Sequence, residues 1–224
     1  MGASLATVWT LARKDLLLEL RSRDIILAII VFALLVIAIF TFAVELTPSR
    51  AKDVGPGVLW AAVAFAGVLG LNRSFAVEAE GDTLDGLMLT PISRELIFFG
   101  KVLGNFIFIS IAQIVIFPVF QALFNISILG IETVVIALVA SIGFSAVGTA
   151  FAAVSVRVRS REIMLPLLFL PTSVPLIMAA VESTSVVVNG GSWADFSAWL
   201  QLAIAFDVIF VISSAVLFQF VLEE

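Results

Sequence analysis

The sequence predicts an all-α integral membrane protein of six transmembrane helices, preceded by an N-terminal amphipathic helix in the membrane interface. Three observations predict it. Of 224 residues, 62% are hydrophobic and 13% charged, against roughly 45–50% apolar and about 25% charged in soluble globular domains. Apolar runs reach about 20 residues, the length that crosses ~30 Å of hydrocarbon. Lysine and arginine gather in alternate connections, as they do where short loops face the cytoplasm.

The chain reads as one membrane domain over residues 1–224. In residues 4–24, Leu5, Val8, Trp9, Ala12, Leu16 and Leu20 recur at helical spacing, with Arg13, Lys14, Glu19, Arg21 and Arg23 mostly elsewhere. That pattern suits a helix lying in the interface. It is too polar for a signal-peptide core, and no small-residue cleavage pattern follows the next apolar run, so the mature chain is expected to keep its N-terminus.

Six apolar stretches follow, at about 25–46, 57–75, 96–124, 131–156, 163–181 and 196–222. Arg13, Lys14, Arg21 and Arg23 precede the first; Arg73, Arg94 and Lys101 lie around the second connection; Arg157, Arg159 and Arg161 lie in the fourth. Only Arg50 and Lys52 stand on the opposite side. The excess places both termini in the cytoplasm and sets Trp60, Trp193 and Trp199 at the outer interface as an aromatic belt.

Within the spans, small residues recur every fourth position: Ala62, Ala66, Gly70 and Ser74 in the second, and Ala137, Ser141, Ser145, Thr149 and Ala153 in the fourth. Such ridges allow close helix approach, either inside one subunit or at a subunit or translocation interface. Pro166, Pro171 and Pro175 remove backbone donors in the fifth span and are expected to kink or break it. They mark either a bent span or a moving, pathway-lining element. Asp207 is the one acid deep in a span, and a carboxyl there is expected to face protein, bonded to hydroxyls such as Ser145 or Thr149. An intramembrane aspartyl enzyme would need two facing carboxylates.

The absent residue types narrow the chemistry. Without His, Cys or Tyr the chain lacks the usual nucleophile and base pairs, thiolate metal sites and most haem axial ligands. No metal and no stably bound cofactor are expected. The net charge of −5 comes from scattered carboxylates, so neither a nucleic acid nor any other charged partner follows from it.

The stretch with organised chemistry is the cytoplasmic segment 76–95. Asp82 or Thr83 can cap a short helix, Asp85 adds negative charge to its first turn, and Leu84, Leu87 and Met88 form one apolar face. Pro91 ends it, and Ser93 can cap the third span. Such a helix either rests on the headgroups or offers a soluble motor something to push.

Glu78, Gly81, Thr83, Leu84, Asp85, Leu87 and Pro91 follow the order of a Glu-x-x-x-Gly-Thr-Leu-Asp/Glu-x-Leu-x-x-x-Pro pattern, with Asp82 intervening. In this the chain resembles the export-type ABC permease superfamily. The stretches KDLLLELRSRD, GVLW, LNRSF, REIMLPLLFLP, AFDVIF and the terminal VLEE are similar to the haem exporter protein B family, the membrane subunit of the cytochrome c maturation ABC complex. That resemblance implies an export-type ABC permease fold and a core of two copies of this chain. It implies a separate ATPase subunit holding ATP, a haem-handling membrane protein and a periplasmic haem chaperone, all within membrane lipid. It assigns ATPase coupling to Glu78, Gly81, Asp82, Thr83, Leu84, Asp85, Leu87, Met88 and Pro91. Haem would be transient or partner-held cargo. The sequence agrees that nucleotide binds elsewhere, because no Gly-x-x-x-x-Gly-Lys-Ser/Thr loop is present. Two rival readings are a permease for a lipid, polysaccharide or drug, and a non-transporting assembly scaffold.

Overall fold

The computed structural model describes residues 2–21, 23–43, 47–80, 92–156 and 161–221. Among the described residues the chain forms seven helices: α1 (Gly2–Arg21), α2 (Arg23–Ala43), α3 (Pro48–Glu80), α4 (Arg94–Phe124), α5 (Ile131–Val156), α6 (Arg161–Val188) and α7 (Trp193–Val221). An all-helical chain is what hydrocarbon demands, since each backbone donor and acceptor must be satisfied within its own segment. Among the described residues, five stretches are long and apolar enough to cross a membrane: Ser49–Asn72, Arg94–Phe124, Ile131–Ser155, Ile163–Val188 and Trp193–Phe218. The expected first span overlaps α2 over residues 25–43, where the described apolar run, Ile30–Ala43, is shorter than those five; residues 44–46 lie outside the described residues.

Local sequence sets the helix ends. Asn125 closes α4 at φ 53, ψ 42, a left-handed conformation that Asn tolerates better than most residues. In the turn to α5, the Gln121 side-chain oxygen accepts from the backbone N–H groups of Ile128 and Leu129 at 3.0 and 3.2 Å. Gly190, at φ 81, ends α6: its N–H donates to the Val187 carbonyl, while that of Gly191 reaches the Val186 carbonyl, the paired closure that a left-handed glycine permits. Asp195 starts α7 by accepting from the Ser192 N–H at 2.7 Å and hydroxyl at 2.8 Å.

Helix α3 is the central span. Of its apolar stretch 72% is buried, against 22% for α7. It packs on α2, α4, α5 and α6, and Leu59, Trp60, Ala62, Val63 and Leu71 are almost fully enclosed. Helix α7 instead turns Ile204, Val208, Ile209, Ile212, Val216 and Leu217 outward. For a chain solvated by lipid, such a face is ordinary exterior.

Several boundaries differ from expectation. Helix α3 begins nine residues before Gly57 and runs five past Phe75, so Arg73 lies on the helix and not in a loop. Helix α6 runs unbroken from Arg161 to Val188 through Pro166, Pro171 and Pro175, correcting the break expected there. Each proline deletes one amide donor, and the neighbouring turns keep theirs. Pro171 and Pro175 also sit on the exposed side of α6, away from the packed core.

Candidate functional site

Two regions carry the chemistry. One is the segment between α3 and α4, and the other is a polar seam inside the helical core.

Glu78 lies on the last turn of α3; its side chain lies outside the described residues. Gly81, Asp82, Thr83, Leu84, Asp85, Leu87, Met88 and Pro91 also fall outside them. The flanks are described. The segment leaves from the end of a 33-residue helix and re-enters at Arg94, the first residue of a 31-residue one. Ser93 stands at the N-cap of α4 in an extended conformation. Its side chain makes no capping bond, and its carbonyl instead accepts from Leu96 and Ile97. The segment therefore joins two long helices, each of which contributes residues to the buried core.

Beside that entry point lies an arrangement missed in the sequence. Gly100 and Gly104, one turn apart on α4, form a seam against α1. A Cβ at Gly100 would stand 2.7 Å from Leu11 Cβ, and one at Gly104 would meet the Ala12 backbone at 3.7 Å. Lys101 Nζ lies 2.9 Å from Asp15 Oδ2, with side chains 3% and 8% exposed. Lys14 Nζ adds a contact to Asp15 Oδ1 at 3.2 Å. Lys101 is thus a buried ionic residue, not a loop charge contributing to topology. The Gly-x-x-x-Gly spacing at 100–104 was the signal that could have located this seam.

The polar seam joins α4 to α5. Asn105 Nδ2 donates to Thr149 Oγ1 at 2.8 Å, and Ser141 Oγ donates to Gln113 Oε1 at 3.2 Å. The small-residue ridge on α5 is therefore used, at least at Ser141 and Thr149, for packing within the chain. Asp207, on α7, does not meet the hydroxyls expected for it. Ser145 donates to the Ile142 carbonyl and Thr149 receives Asn105. Asp207 instead packs against Gly143, where a Cβ would collide with its Oδ1 and with Leu176 Cδ2. That oxygen has no hydrogen-bond partner among the described residues.

Trp60 also departs from expectation. It is fully buried, donates from Nε1 to Thr184 Oγ1 at 2.9 Å, and lies edge-on to Phe117 at a ring separation of 6.2 Å. It is a core residue and not part of an interfacial belt. Trp193, 43% exposed, remains available to one.

Comparison with known proteins places this geometry in context. The sequence matches the family described as CcmB protein over residues 6–222. It is 27% identical to Heme exporter protein B of Bradyrhizobium diazoefficiens, covering 80% of this chain and 82% of the relative. It is 26% identical to Heme exporter protein B of Pseudomonas aeruginosa, covering 85% of each. It is 30% identical to the protein of that name from Rhodobacter capsulatus, covering 73% of this chain and 79% of the relative.

Proposed function

The chain belongs to the CcmB protein family, and from that premise we propose that it is the membrane-spanning permease subunit of an ATP-driven ABC complex for haem export and cytochrome c maturation. The family match across residues 6–222 carries this reading. Helix α2 completes six spans, giving an export-type ABC permease with both termini in the cytoplasm of a cell with an inner, or plasma, membrane. Two copies form the core, bound to a separate ATPase and working with a haem-handling membrane protein and a periplasmic haem chaperone.

The absence of a phosphate-cradling loop from the sequence supports ATP hydrolysis on another chain. Chemical work done there reaches this subunit through the segment Asp82 to Pro91. Leu84, Leu87 and Met88 offer a small apolar face to a groove on the ATPase. Its displacement moves α3 and α4, which end and begin on either side of it. The result is haem delivery or release of the haem-loaded chaperone. Haem passes in transit or is held by a partner, because this chain has no His and only Met88, Met164 and Met178 as internal methionines.

Recovery of the ATPase with the purified chain tests the coupling. Burying one Leu is worth roughly 1.5–3 kcal/mol, so Leu87→Asp is expected to abolish recruitment and maturation at normal expression. Asp85→Lys weakens both less, as a rim charge does. Leu129→Asp, at an exposed position in the α4–α5 turn, leaves recruitment unchanged. Full recovery of the ATPase with Leu87→Asp refutes the coupling role.

A further inference from the structure

The interfacial helix α1 is held to the rest of the described chain chiefly by α4, with a smaller contact to α2. Its outward side leaves Leu5, Trp9, Leu17 and Leu18 exposed, so the membrane interface alone leaves it free to slide and roll. The seam at Gly100 and Gly104 brings the two helices close, but a glycine groove sets no register by itself. The ion pair does. Lys101 is seven residues past the start of α4, about 10 Å along the axis, and its ammonium meets Asp15 where both are almost fully enclosed. A buried pair of this kind is poor evidence for added stability, since an apolar pair often packs as well. It does penalise displacement, because sliding either helix by one turn strands a charge.

We propose that Asp15 and Lys101 are positioning residues whose ion pair locks α1 to the first turns of α4, so that the interfacial helix and this span move as one lever. The proposal rests on the coupling role given above to residues 82–91, because that segment leads directly into α4. Closure of the ATPase on the segment then displaces α1 within the headgroup layer as well as α4 within the core.

The chain has no native cysteine, and Ala12 is fully buried against α4, so Ala12→Cys reports docking of α1. In the assembled complex in inverted membrane vesicles, an impermeant maleimide should label Ala12→Cys slowly. Adding Lys101→Asp should speed labelling at least about a hundredfold, because it replaces a buried ion pair by two carboxylates facing each other where both are almost fully enclosed. Cytochrome c maturation should fall to background while the ATPase is still recovered. Asp15→Lys combined with Lys101→Asp should restore slow labelling and maturation together.

If Lys101→Asp lowers abundance, Lys101→Gln carries the same comparison. In that chain, a disulfide between Ala12→Cys and Gly104→Cys should restore maturation on oxidation, because position and not charge is what the lock supplies. Continued protection of Ala12→Cys in the single variants overturns the lock, and fast labelling with normal maturation overturns its role in coupling. Failure of the coupling reading itself looks different: Leu87→Asp then retains the ATPase, whatever the labelling of Ala12→Cys.

Discussion

The indole N–H of Trp60 donates to the Thr184 hydroxyl at 2.9 Å, and that hydroxyl donates onward to the Ala180 carbonyl at 2.7 Å, tying α3 to α6. Phe117 and Phe144 flank the ring, so four helices converge on one side chain. Trp60→Phe keeps most of the ring and deletes the donor, and should cost about 0.6–1.7 kcal/mol, the range of interhelical hydrogen bonds in membranes. Trp60→Ala also empties the site and should cost about 3–5 kcal/mol. Unfolding in mixed micelles measures both; equal losses would show that packing around the ring contributes nothing.

The bonds from Asn105 to Thr149 and from Ser141 to Gln113 keep one antiparallel register, since the paired residues are spaced equally along α4 and α5. Double-mutant cycles to Ala should give coupling energies of about 0.6 kcal/mol or more within each pair. Asn105→Ala with Ser141→Ala should add within about 0.3–0.5 kcal/mol. Coupling across the mismatched pair, and none within the matched ones, would place the register elsewhere.

Gly143 is where α5 lets α7 approach, with Asp207 Oδ1 and Leu176 Cδ2 in the space a Cβ would occupy. Gly143→Ala should therefore destabilise by about 1–3 kcal/mol, as overpacking does. Combining it with Asp207→Ala should recover part of that loss in the same unfolding assay. Strict additivity would mean that the two do not share the space.

Orientation is tested by single cysteines. Ser49→Cys, in the first turn of α3, and Ser192→Cys, just before α7, lie at exposed positions and should react with an impermeant thiol reagent from outside the cell. Ser22→Cys and Ser160→Cys should react only after permeabilisation, following the distribution of Lys and Arg. The reverse pattern would invert the topology and remove the ATPase from reach of residues 82–91.

How much of this was legible in the sequence varies by feature. The helices at 94–124 and 131–156 lie within two residues of their apolar runs, because a membrane span and its hydropathy are the same physical quantity. The extensions of α3 to Pro48 and Glu80 were missed, since a helix can continue past the hydrocarbon into water, where hydropathy no longer marks it. At Ser93 the N-cap position was legible, but the side-chain capping bond expected there is not made. The coupling motif, by contrast, was legible only as a motif.

By itself the sequence determined an all-helical membrane protein, its principal apolar runs, its lack of thiolate and imidazole chemistry, and the family to which it belongs. Only the tertiary structure decided which faces meet: Trp60 inside the core, Lys101 on Asp15, Asp207 against Gly143 and not on a hydroxyl. In water the apolar face of a helix announces its burial, but in lipid both faces are apolar and pattern loses that meaning. Pairing is then decided by where backbones can approach, at glycines such as Gly100, Gly104 and Gly143. It is decided also by which polar side chains find partners there, and both are properties of two helices together.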